Sequence, residues 1–233
     1  TGVQTCALPI STGTTGTSGT AGSCLALGLL SGVSRSHLLV GASMEDTTAA
    51  QAPFDLRYIY LSGGIFDGNS PCASCASGCT AAGAACDDSH GCGWWGCWQW
   101  DQDPPGKYAS DFVAKCSGQA QLPWITYYEL LQASGVGEGA PEVTVTNDVN
   151  FMKRYFADWR FLLQKLGQSP AFLHIEPDFW GYAEQVNQDP HQIPSAVASA
   201  NPTDCAAFEN SIAGLGRCMI AMVRTYAPKA KVS

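Results

Sequence analysis

The sequence predicts an α/β fold built on a parallel sheet, and three observations predict it. From His37 onward, short apolar runs alternate with segments of helical period, the pattern of strands joined by crossover helices. Two of those segments carry long apolar stripes that stop at Gly or Pro. With 45% hydrophobic residues, the 233-residue chain can also bury the core such a sheet needs.

The N-terminal stretch lies outside that pattern. TGVQTCALPI, residues 1–10, reads as translated sequencing-adapter sequence and is set aside, Cys6 included. Residues 11–36 read as a flexible lead-in, because the Gly/Thr/Ser tract STGTTGTSGTAGS cannot bury enough apolar area to offset its ordering entropy. The apolar run Leu25 to Val33 falls far short of the roughly 18 residues that span a bilayer. No leader with a basic start and a small-residue cleavage site is readable, so any export signal is expected upstream.

The domain proper is expected over residues 37–233. His37–Ala42 and Phe54–Leu61 read as its first strands, and a cysteine-rich insertion, residues 70–106, follows. Cys72, Cys75, Cys79, Cys86, Cys92 and Cys97 crowd into that insertion. Disulfides are favoured over a zinc knuckle, because the CxxC at Cys72 has no matching second pair and His90 is the nearest imidazole. Trp94, Trp95, Trp98 and Trp100 of the same loop either form a platform for the apolar faces of sugar rings or fill a small cystine-held core.

Trp124–Glu129 reads as the third strand. A helix after Asn147 then carries Phe151, Tyr155, Trp159, Leu162 and Leu166 on one face and stops at Gly167. Phe172–Glu176 is the fourth strand. A second helix presents Phe208, Ile212, Leu215, Met219, Met222 and Tyr226 and stops before Pro228, and Lys229–Ser233 begins another strand. The order of elements suits the N-terminal half of a β/α barrel.

Chemistry concentrates at HIEPD. Side chains alternate along a strand, so His174, Glu176 and Asp178 are expected on one face, with Leu173 and Ile175 on the other. Pro177 has no N–H for a central ladder and should end the strand. The carboxyl ends of parallel strands are where such folds place their sites. A carboxyl beside Phe179 and Trp180 would hold its proton to higher pH, as a general acid must. An ion-pair network at the sheet rim would use the same residues. A metal held by all three has no second cluster to support it, and no cofactor motif is present.

Composition narrows the class further. A net charge of -8 and 12 Lys plus Arg disfavour nucleic acid, whose affinity comes from cations displacing counterions. Eleven Cys suit an extracytoplasmic protein.

The arrangement resembles the family-6 glycoside hydrolases, inverting cellulases on a distorted, TIM-like β/α barrel. The likeness runs over about Pro123 to Val232 and rests on Glu176-Pro177-Asp178, on Ile125 to Glu129 with Ala133-Ser134 and Gly137-Glu138, and on Cys205 before the last helix. It implies that Asp178 is the general acid, with Glu176 orienting or tuning it, in a secreted protein that cleaves a β-linked polysaccharide and acts as a monomer. Inversion needs a second carboxylate roughly 6.5–9.5 Å away, for which Glu129, Glu138 and a residue beyond Ser233 are candidates. His174, Tyr127, Tyr128, Trp180 and Trp98 would bind sugar. The family's Arg-Asp-Cys is replaced by Leu130-Leu131-Gln132 after Glu129, which leaves a non-catalytic carbohydrate-binding or surface-structural protein as the rival. Cys205 and Cys218 cannot bond within one continuous helix, where roughly 20 Å would separate them. Cys205 therefore either precedes the helix or pairs with Cys116.

Overall fold

The computed structural model describes residues 38–62, 65 and 106–233. The lead-in, nearly all of the cysteine-rich insertion and Trp98 fall outside the described residues. The chain divides into two units, Thr1–Leu38 and Leu39–Ser233, and every element below belongs to the second. Five strands form one parallel sheet in sequence order: β1 (Gly41–Ala42), β2 (Leu56–Leu61), β3 (Leu122–Tyr127), β4 (Phe172–Ile175) and β5 (Lys231–Val232). The expected parallel α/β architecture is present, and the sheet is open: the described residues do not close it into a barrel.

Between the strands lie α1 (Asp46–Ala49), α2 (Lys107–Gly118), α3 (Leu130–Ser134), α4 (Ala140–Val145), α5 (Val149–Leu166), α6 (Phe179–Val186) and α7 (Ile212–Tyr226). The first strand is shorter than its apolar run implied. Leu38 and Val40 before it are exposed, and only Gly41 and Ala42 pair with β2. Among the described residues no helix is long and apolar enough to cross a membrane.

Helix α5 owes its length to two local features. Asp148 caps its start by accepting from the backbone N–H groups of Asn150 and Phe151, and its apolar stripe is continuous. Tyr155, Phe156, Trp159, Leu162 and Leu163 are essentially sealed from solvent, each burial worth about 1.5–3 kcal/mol. They pack with Ile125, Tyr127, Leu173 and Ile175 in one core. The alternate strand residues Tyr58, Tyr60, Trp124, Thr126 and His174 look the other way and line an open cavity of about 350 Å³.

The last helix begins later than its stripe suggested. Ser211 caps it through the Gly214 N–H, so Ile212 opens the helix and Phe208 lies in the preceding loop. A Cβ at position 214 would sit 1.9 Å from the Glu209 carbonyl oxygen, so this turn requires glycine. Starting the helix here places Cys205 ahead of it, folded back over Cys218 with a Cα–Cα distance of 5.4 Å, and the two form a disulfide. The alternative partner, Cys116, is a buried free thiol.

Candidate active site

The site forms where β3 and β4 end. Glu176 is the pivot, because its φ of +46° lies in the left-handed region that a residue with a Cβ rarely adopts. Its N–H still bonds the Tyr127 carbonyl at 2.8 Å, so the turn comes at the end of the ladder. The turn breaks the alternation expected from HIEPD. Glu176 points into the layer occupied by α5, while His174 faces the open cavity on the opposite side of the sheet.

There the Glu176 carboxyl is fully buried, and its Oε1 accepts from the Tyr155 hydroxyl at 2.9 Å and from the N–H groups of Glu129 and Leu130 at 3.0 and 3.1 Å. Glu176 thus ties the end of β4 to the start of α3. Burial pushes its pKa up to about 8; the three donors oppose the rise without cancelling it, and nearby Glu142 adds to it.

The mouth of the site is acidic and edged with tyrosine. Asp178 and Glu138 are exposed, Tyr128 and Tyr182 are half-buried, and Glu142 on α4 is sealed beside them. Desolvation raises the Tyr128 hydroxyl to about 12, with Glu142, Asp178 and Glu138 adding to the effect. Tyr182 stands one helical turn beyond Asp178, and its hydroxyl is raised first by desolvation and then by the charges of Glu138, Asp178 and Glu142. Glu142 itself is raised to about 7, first by burial and then by the charges of Glu138 and Asp178.

Several residues expected to meet a substrate are placed elsewhere. Tyr127 is sealed in the core, where it donates to Asp158 at 2.8 Å and lies 4.8 Å from the Trp159 ring. Glu129 is buried at the cap of α3, so it offers no carboxylate to the surface. The Trp180 N–H is taken by the Ile175 carbonyl at 2.8 Å, and its ring lies against Gly216 of α7. Of the expected site residues, the structure brings together Asp178, Glu138 and Tyr128.

Glu142 and Tyr182 were not anticipated. Each sits four positions after an anticipated residue; that spacing puts Tyr182 one helical turn beyond Asp178, whereas Glu138 precedes α4 across a non-helical Gly139, so no helical spacing pointed to Glu142. Among the described residues no group of three or more His, Cys, Asp or Glu could hold a metal ion. No protein-family model matches this chain, and neither a curated protein nor a solved structure matches it.

Proposed function

We propose that this chain belongs to a polysaccharide hydrolase, a secreted β/α-barrel protein in which Asp178 protonates the leaving oxygen of a β-linked sugar. The observation that carries the reading is the placement of Asp178, an exposed carboxyl one residue past the Pro that ends a parallel strand. Beside it stand the exposed carboxylate of Glu138 and the rings of Tyr128 and Tyr182. Two carboxylates flanked by aromatic edges match what hydrolysis of a glycosidic bond requires: one proton donor, one group to activate water, and flat surfaces for sugar rings.

In this reading Glu176 acts through the backbone, fixing the loop that presents Asp178. The sheet, wound in sequence order with helices against one face, suits part of a barrel. The Cys205–Cys218 disulfide agrees with an extracytoplasmic setting.

The burial of Glu129 favours the rival, a carbohydrate binder without chemistry, because it withdraws one candidate for the second carboxylate. A pull-down on insoluble glucans with a reducing-sugar assay, run on the chain and on Asp178→Ala, separates the two. Cleavage by the parent and none by the variant supports the hydrolase. Retention without cleavage by either supports the binder, and equal turnover by both eliminates Asp178 as the acid.

A further inference from the structure

Glu142 combines full burial with the lack of any hydrogen-bond donor at either carboxyl oxygen. A carboxylate so placed would have lost its water and gained nothing in return, and such groups take up a proton instead. Its neighbours sharpen the problem. Glu138 approaches from the preceding loop, Asp178 and Tyr182 from α6 and its cap, Tyr128 from the end of β3 and Glu176 from the end of β4. Among the described residues no Lys, Arg or His forms an ion pair with any of these carboxyls. Glu176 shares the predicament, since all three of its donors converge on Oε1 and its buried Oε2 has none.

Open space surrounds the glycines of the chain that leads into α4. Gly135 and Gly139 precede it at φ of +70° and +85°, and no atom lies within 4 Å of the place a Cβ would take at either residue or at Gly137. The other end is pinned, because the buried Thr146 carbonyl accepts from the Ala196 N–H at 2.7 Å and the Ser195 hydroxyl at 3.3 Å.

We propose that Glu142 and Glu176 together bind a proton in neutral solution, and that this proton keeps the Ala140–Val145 helix docked against the Phe179–Val186 helix. Losing it leaves two like charges in an apolar site, and α4 relieves them by swinging out on its glycine-bearing end until Glu142 reaches water. The swing carries Glu138 away from Asp178, so the acidic mouth opens as solution becomes alkaline. The two midpoints belong to the pair and not to either residue alone.

The test needs no substrate, so it stands or falls separately from the hydrolase proposal. Glutamate Cδ resonances of the full chain, labelled with ¹³C, are followed from pH 4 to 10, with Glu142→Gln and Glu176→Gln for assignment. Amide exchange of residues 140–145 is followed alongside. Two carboxyls titrating far above the surface glutamates are expected, each substitution moving the other midpoint down by about one pH unit, a tenfold change in proton affinity. Exchange in α4, corrected for its intrinsic pH dependence, should rise at least about tenfold between pH 6 and 9 in the parent and not in Glu142→Gln. Glu142→Met supplies the same comparison if the buried amide disturbs folding. The inference is overturned if Glu142 titrates with the surface glutamates, if the midpoints ignore each other, or if α4 exchange is unchanged across that range.

Discussion

The hydroxyl of Tyr155 donates to Oε1 of Glu176 at 2.9 Å, and that bond anchors the strand end from which Asp178 departs to the central core helix. The bond is sealed from solvent, and Tyr155 also lies 5.6 Å from Tyr127 on the neighbouring strand. A left-handed backbone at Glu176, which costs about 1–3 kcal/mol, is held in place by this side-chain bond together with those from Glu129 and Leu130.

Tyr155→Phe should therefore destabilise the fold by about 0.5–1.5 kcal/mol, the net worth of one hydrogen bond, because the Glu129 and Leu130 N–H groups still reach Oε1. The Tyr hydroxyl favours the ionised carboxyl, so its removal should also raise the Glu176 midpoint beyond about 8. Urea unfolding and carboxyl NMR check the two effects, and an unchanged urea midpoint would show that the bond anchors nothing.

Asp178→Asn should leave stability within about 0.5 kcal/mol, because the side chain is exposed and makes no capping bond to α6. If Asp178 is the acid, glucan cleavage should drop by roughly 10²–10⁴-fold. Melting curves and reducing-sugar release measure the pair of outcomes.

Stability should decline as pH rises through the neutral range. Glu142 and Glu176 are raised from 4.5 to about 7 and about 8, so the folded state holds protons that the unfolded chain has already released. Their contribution is fully present below about pH 4.5 and is lost as pH passes the folded-state values. Glu142→Met should flatten this decline between pH 5 and 8 in a urea series. Asp204 acts in the opposite sense at the acid end. Burial alone would raise it, but hydrogen bonds from Asn201, Arg160 and Tyr226 prevail and lower it, so the stability they confer disappears as pH falls through its folded value.

The described cysteines should separate cleanly in their chemistry. Burial pushes the Cys116 thiol up to about 11, so native protein should leave it unmodified by an alkylating reagent at pH 8, while urea should expose it. Replacing Cys205 and Cys218 together by Ala should cost about 2–4 kcal/mol, because their bond closes a loop in the unfolded chain. Peptide mapping reads the labelling and urea unfolding reads the stability loss, and rapid native labelling of Cys116 would contradict its placement.

What the sequence determined by itself is local and periodic. The α5 stripe from Phe151 to Leu166 and its Gly167 stop were legible because each feature acts within a few residues of chain, whereas its Asp148 cap came from the structure. So were β4 and the proline that ends it, and with them the position of Asp178. The α7 stripe was legible too, but its start was misplaced at Phe208, since the Ser211 cap and the Gly214–Glu209 contact are matters of three-dimensional fit.

Tertiary structure alone decided which way the polar groups face. Alternation placed Glu176 with His174, yet a single positive φ turned it to Tyr155 on a helix 21 positions upstream in the chain. Glu142 became a buried acid only because α4 packs against α6, elements separated by the whole of α5 and β4. Periodicity reports the face a residue takes while the backbone stays regular. A partner far away in sequence, and the energy of one strained turn, decide where that regularity stops.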